Sequence, residues 1–263
     1  MLRAFNQLGI EEGDILFVHS DLGVFGSAHD LISRDDILSF YYNLLFDLLG
    51  GEDKGTLVVP AYYYDYARKG LPFDVETSPV SKSLGALSRH VNARPSRVRS
   101  CNPLLSIAAV GSQAEAICGS GSLNGYGVTS PWHRLHEHNA KFLFFGVSMQ
   151  SMTYVHYIEQ QYNVPHLYCK LFDTPVSQKG RLLPGRVVTT VRYLNYGIEY
   201  DIIPFQTRLL KKGIAKKTVV KDNPLYLVEA QGAFAEGVKC LDEDIYYFLR
   251  QQPAFSTEQP PLT

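Results

Sequence analysis

Three side chains have the types and the spacing to move a proton. The run SMTYVHYIEQ places Thr153, His156 and Glu159 three residues apart, so on a helix they lie along one side. A neutral imidazole can accept a proton, and a carboxylate beside it can orient the ring and stabilise the cation that forms. Met152, Val155 and Ile158 form a neighbouring apolar stripe, suited to facing a core. The polar stripe then belongs at the core's edge, where a cleft can open. Spacing alone favours a surface His156–Glu159 pair over a reaction centre, so the surrounding segments must decide.

Other stretches carry chemistry more weakly. VHSDLGVFG, Val18 to Gly26, has a strand, small polar residues and a glycine, a frequent way to present backbone N–H groups to phosphate. It has neither a GxGxxG nor a P-loop pattern, and a plain strand exit fits as well. HRLHEH supplies His133, His136 and His138, but no carboxylate or cysteine follows at a metal-site spacing, so an exposed helix face and no metal are expected. AYYYDYARKG, Ala61 to Gly70, clusters tyrosines that could line a substrate mouth or cover a core edge.

The elements that must hold these residues follow from periodicity. Apolar runs at Asp14–Ser20, GTLVVPAYYY, SIAAVG and KFLFFGV read as buried strands. They alternate with helical patterns, including one from Arg34 to Leu49 that stops at two glycines. Further helices are expected in SKSLGALSRHVNAR, SQAEAICGS and SPWHRLHEHN, the last opening on Pro131. RVVTTVRYLNYGIEYDIIPF reads as antiparallel strands, and GAFAEGVKCL and DEDIYYFLRQ as helices. The expectation is an α/β fold: a three-layer sandwich of a mixed central sheet flanked by helices, with a small antiparallel β-rich C-terminal portion. One domain over residues 1–253 is expected, with a disordered tail at 254–263.

Composition narrows the function classes. With 25 basic and 26 acidic residues, no nucleic acid or anionic membrane is advertised. The basic run LLKKGIAKK, Leu209 to Lys217, reads as a solvated turn. Cys101, Cys118, Cys169 and Cys240 form no CxxC pair, which points to reduced thiols and a cytoplasmic protein. No apolar run reaches membrane-spanning length. Nothing sets the oligomeric state; a homodimer is an open expectation.

In order along the chain, GDILFVHSDLGVFG, GTLVVPAYYY, FDVETSPVSKSLGALSR, RVRSCNPLLSIAAVGSQAEAI, YGVTSP and KFLFFGVSMQSMTYVHYIE resemble the aminoglycoside 3-N-acetyltransferase family. The RSxxP-xx-S-xx-A-x-G and T-x-x-H-x-x-E blocks are the most specific. The resemblance covers roughly residues 8 to 170 and implies transfer of an acetyl group from acetyl-CoA to an amine. By position it implies that His19, Ser20, Asp21 and Leu22 hold coenzyme A, with backbone amides near Ser20 on its phosphates. Ser100, Ser106, Gly127 and Ser130 would line the coenzyme channel. Thr153, His156 and Glu159 would sit at the thioester, and Asp74, Asn102, Tyr62 and Tyr64 would face the acceptor.

The chain departs from its relatives at Asn102, where many carry histidine, and at Ala61, where threonine is usual. Together with the near-neutral charge and the tyrosines, this favours a less cationic acceptor, such as an amino sugar of a surface glycan, free or nucleotide-linked. An aminoglycoside resistance enzyme is the alternative with the same chemistry. A metal-dependent hydrolase using the histidine-rich run, or a non-catalytic coenzyme A or glycan-binding protein, remain readings of another class.

Overall fold

The computed structural model describes residues 2–25 and 33–254. In chain order the first half comprises α1 (Leu2–Leu8), β1 (Ile15–Ser20), α2 (Arg34–Leu49), β2 (Thr56–Pro60), α3 (Asp65–Lys69), β3 (Phe73–Asp74), α4 (Gly85–Asn92), β4 (Val98–Arg99), β5 (Ile107–Gly111), α5 (Ala114–Cys118), α6 (Pro131–Glu137) and β6 (Lys141–Phe145). There follow α7 (Tyr154–Tyr162), β7 (Leu167–Phe172), β8 (Val176–Gln178), β9 (Arg181–Leu182), β10 (Val187–Arg192), α8 (Ile203–Lys211), β11 (Ala215–Val220), β12 (Asn223–Glu229) and α9 (Ala230–Glu243).

Seven strands form the central sheet in the order β11-β12-β6-β1-β2-β5-β4. β6, β1 and β2 are parallel to one another, and the flanking strands pair antiparallel. Side chains alternate across it, as strand geometry requires. Leu16 and Val18 of β1 enter one core with Phe5, Leu45 and Leu87, from α1, α2 and α4. Phe17 enters the other with Trp132, Tyr154, Val155 and Ala233, from α6, α7 and α9. Burial on both faces explains why these strands read as unbroken apolar runs. The expected three-layer sandwich is the observed fold.

The expected β-rich portion is smaller than its sequence suggested. β7 and β10 pair antiparallel, and β3, β8 and β9 form a small mixed sheet. The second half of RVVTTVRYLNYGIEYDIIPF forms no strand. Its end is α8, which takes Pro204 into its first turn and buries Phe205 and Leu209 on one face. LLKKGIAKK is not a solvated turn. It ends α8, turns at Gly213 (φ +70°) and enters β11. Lys216 and Lys217 there are exposed on the outermost strand, where charge discourages pairing with another chain. DEDIYYFLRQ is not a helix either: Asp244 is extended and its side chain accepts from the Tyr246 amide, turning the chain. Of the expected tail, residues 255–263 lie outside the described residues.

Parallel pairing decides where function can sit. β1, β6 and β2 end at Ser20, Phe145 and Pro60 on the same edge of the sheet. The loops after adjacent parallel strands converge there, the usual ligand edge of an α/β sheet.

Candidate active site

The segment after β6 turns at Gly146 (φ +75°), where an added Cβ would meet the Asp21 carbonyl oxygen at 2.5 Å. Only glycine allows the β1 and β6 exits to approach this closely. The chain then passes a short 3₁₀ turn, Met149–Ser151, and enters α7. Met152, Val155 and Ile158 are buried, as the stripe predicted. Thr153, His156 and Glu159 therefore face the strand ends.

Glu159 is the fixed point of the site. It is fully buried. Its Oε2 accepts hydrogen bonds from His156 Nδ1 at 3.0 Å and from the Tyr200 hydroxyl at 3.0 Å, and its Oε1 accepts from His166 Nε2 at 2.9 Å. Burial pushes this carboxyl up. The hydrogen bonds and charge of His156 and His166 outweigh it and hold Glu159 below the usual carboxylate range. An ionised Glu159 accepts only, so it draws the Nδ1 proton of His156 and leaves Nε2 free to accept another. His156 is about a third exposed and lines an open cleft.

Thr153 stands one helical turn earlier. Its Oγ1 accepts from the Tyr62 hydroxyl at 2.9 Å, which leaves its own hydrogen available to a partner in the cleft.

Three adjoining cavities cross this edge. One cleft, ≈ 550 Å³, has Tyr62, Tyr64, Tyr126, Thr153, His156 and Tyr200 in its walls. A throat of ≈ 240 Å³ shares Tyr62, Tyr64 and Thr153 with it and adds His19, Ser20 and Ser151. The throat shares Ser20, Ser83 and Val147 with a third cavity of ≈ 720 Å³, which carries Arg34, Lys82 and Arg89 against a single carboxylate, Asp21. A basic pocket thus leads through a throat to a histidine–glutamate pair, which suits a long phosphorylated donor reaching a small acceptor.

The structure brings some of the expected residues together and separates others. His19, Ser20, Asp21 and Leu22 line the throat or the basic pocket, but not in the manner expected. The Asp21 amide donates to the Phe145 carbonyl and the Gly23 amide to Asp21 Oδ1, so neither is free for phosphate. His19 stacks on Phe144, and burial pushes its pKa down to about 3. It is a neutral wall, and the positive charge comes from Arg34, Lys82 and Arg89. Sequence reading missed these three because they lie on separate helical segments that only the fold assembles.

Ser100, Ser106 and Ser130 are buried structural groups and do not line the described cavities. Ser100 Oγ accepts from the Ile107 amide. Ser106 Oγ donates to the Ser100 carbonyl and accepts from Arg99 Nε. Ser130 caps α6 by accepting from the His133 amide. Gly127 closes a turn through Asn124 Oδ1.

Asp74 and Asn102 are also occupied elsewhere. Asp74 accepts from the Glu76 and Thr77 amides and from the Thr77 and Ser177 hydroxyls, tying β3 to β8. Asn102 donates to the Leu123 and Val188 carbonyls and accepts from the Leu104 and Leu105 amides. Asn102→Ala leaves these buried groups unpaired and is expected to lower stability by about 1–3 kcal/mol, measured by denaturant unfolding.

The histidine-rich run is not an exposed face. His133 Nδ1 pairs with the Tyr157 hydroxyl at 2.8 Å and His136 Nδ1 with the Tyr154 hydroxyl at 2.6 Å, fastening α6 to α7. No cluster able to hold a metal ion occurs among the described residues.

His166 and Tyr200 are functional candidates that sequence reading missed. Asn163, left-handed at φ 65°, ends α7 and turns the chain so that His166 returns to Glu159. A histidine placed seven residues after the glutamate, just beyond a helix stop, was the available signal. Tyr200 has none, because it arrives from a distant loop.

An α/β sheet that sets a His–Glu pair beside a cleft adjoining a basic pocket has the parts of an acyltransferase, a base for the acceptor and cations for a phosphorylated donor. Residues 17–242 match the model of the aminoglycoside 3-N-acetyltransferase family. The aminoglycoside N(3)-acetyltransferase III of Pseudomonas aeruginosa is 25% identical over 92% of both chains. Among solved structures, a histidine-to-alanine variant of aminoglycoside acetyltransferase AAC(3)-IVa in complex with gentamicin is 26% identical, with a TM-score of 0.75, over 95% of this chain and 90% of that one. AAC-IIIb with CoASH, at 22% identity and TM-score 0.76, covers 96% of this chain and 97% of its own and shares the fold. The chain belongs to the aminoglycoside 3-N-acetyltransferase family. No described helix is long and apolar enough to cross a membrane.

Proposed function

We propose that this chain transfers the acetyl group of acetyl-CoA to an amine of an amino sugar, the class to which aminoglycosides belong, with His156 as the general base. The observation that carries this reading is the His156–Glu159 pair, with His156 in the wall of the cleft one helical turn from Thr153, which lines both the cleft and the throat. Relatives named for aminoglycosides put those drugs first among acceptors to try. They favour the resistance reading over the surface-glycan amine expected from the sequence.

The acceptor enters the cleft and the thioester arrives through the throat, with the coenzyme phosphates on Arg34, Lys82 and Arg89. The amine nitrogen attacks the thioester carbonyl while His156 Nε2 takes its proton. The Thr153 hydroxyl donates to the developing oxyanion. Collapse breaks the C–S bond, and the proton held by His156 goes to the departing thiolate. Glu159 stays ionised and stabilises the imidazolium between these steps. The buried thiols play no part: burial pushes Cys101, Cys118 and Cys240 up, Cys101 and Cys240 to about 11.

The test is release of coenzyme A thiol from acetyl-CoA with a panel of aminoglycosides and simpler amino sugars, with mass spectrometry to locate the acetyl group. No release with any amine, together with no coenzyme A binding, would sink the proposal. A Lys82→Ala, Arg89→Ala double variant is expected to raise KM for acetyl-CoA about tenfold or more by removing charge-assisted contacts, with kcat little changed. Steady-state kinetics read this directly.

A further inference from the structure

The charge of the acceptor cleft is opposite to what a polycation requires. Among the described residues the cleft wall carries Arg68 and Arg192, and no aspartate or glutamate. Arg68 is held with its guanidinium 4.9 Å above the Tyr64 ring. Arg192 donates through Nη1 to the Ile198 carbonyl at 2.7 Å, which positions the guanidinium and leaves its remaining nitrogens free to donate. Among the described residues neither arginine pairs with a carboxylate. The acidic groups on the same segments are engaged elsewhere: Asp65 with Lys69, Glu199 with Arg250, and Asp201 with the Ile203 amide. Glu159 has no exposure, and both its oxygens are taken.

From this arrangement we infer that Arg68 and Arg192 form an oxyanion subsite, and that the preferred acceptor is an amino sugar carrying a phosphate or a carboxylate besides its amine. The inference rests on the reading of this cleft as the acceptor site of an N-acetyltransferase and, on the charge of this chain's own cleft, parts from the aminoglycosides for which its relatives are named. Guanidinium groups bind such oxyanions through paired hydrogen bonds. Both share the cleft with the reaction centre. Arg68 lies over Tyr64, which packs on Tyr62, whose hydroxyl reaches Thr153. Arg192 lines the same cleft as Tyr200, whose ring is 4.6 Å from that of His156. An acceptor bridging these points presents its amine to His156 and its anion to the rim. A drug with several ammonium groups meets two fixed cations and no counter-charge, which costs affinity.

The experiment measures kcat/KM at low salt with acetyl-CoA and four acceptors: glucosamine, glucosamine 6-phosphate, muramic acid and gentamicin. The expected result is at least about a tenfold preference for one or both anionic sugars over glucosamine, weakening as ionic strength rises. The phosphate and carboxylate arms distinguish the two sources of charge. In an Arg68→Gln, Arg192→Gln double variant, the preference is expected to collapse through a rise in KM for the anionic sugar. Both arginines are exposed, and unfolding curves that overlay wild type verify the fold. Acetylation of gentamicin or glucosamine as efficient as that of both anionic sugars overturns the inference and leaves the acetyltransferase reading standing. A preference that survives both substitutions also overturns it. Acetylation of no amine in any arm refutes the reading of the cleft, and the inference with it.

Discussion

His156→Ala is expected to lower kcat for acetyl transfer by about 10²–10⁴-fold, the usual contribution of a positioned general base. The acceptor amine then has no group to take its proton as nitrogen attacks, because Glu159 is sealed behind the ring. Binding should survive. The basic pocket that holds the donor is a separate cavity, so coenzyme A affinity by calorimetry is expected to stay near wild type. His156 is partly exposed, so its loss opens no core cavity, but it takes one donor from the buried Glu159, and the unfolding midpoint should fall modestly, less than for Glu159→Ala. A variant that folds, binds coenzyme A and still turns over at the wild-type rate excludes His156 as the base.

Glu159→Ala is expected to damage both catalysis and folding. Removing the carboxylate that orients a catalytic imidazole lowers kcat by up to about 10⁴-fold. It also leaves His156, His166 and the Tyr200 hydroxyl without their shared acceptor, and His166 is fully buried. Breaking a buried polar cluster from one side costs on the order of 3–5 kcal/mol. A pH signature separates this from simple cavity formation. The Glu159 carboxyl lies lower in the folded chain than its ordinary value. It therefore binds protons more readily when unfolded, and its stabilising effect is complete above the unfolded carboxylate pKa of about 4.3. The effect fades as pH falls through the lower folded value. Denaturant unfolding from pH 7 to pH 3 should show a steeper loss of stability in wild type than in Glu159→Gln, which carries no titrating group there.

Much of the fold was legible because its signals are local. The apolar run of β1, the helical spacing of α2 and the two glycines that stop it, Gly50 at φ 79°, act within a few residues of themselves, so a helix from about Arg34 to Leu49 could be read. The end of the chain was not legible for the converse reason. IPFQTRLLK has the β-branched and aromatic character of a strand, and only packing of Phe205 and Leu209 under the sheet makes it a helix. The start of β11 read as part of a basic turn; it joins the sheet only through β12, which pairs with β6, a strand some eighty positions earlier.

The same division runs through the site. Thr153, His156 and Glu159 were visible in the sequence because one helix sets their spacing, and a periodicity of 3.6 needs no partner to express itself. The sequence by itself determined the layered α/β class, the polar stripe on α7 and the resemblance that gave it a reaction. Tertiary structure alone decided what surrounds that stripe. It bound Glu159 with His166 and Tyr200, and it gathered Arg34, Lys82 and Arg89 into one pocket. It also turned Ser100, Ser106, Asp74 and Asn102 into scaffold and placed Arg68 and Arg192 at the acceptor mouth. The physical reason is contact distance: hydrogen bonds and ion pairs act over a few ångströms, and residues tens of positions apart come within that range only when the sheet closes.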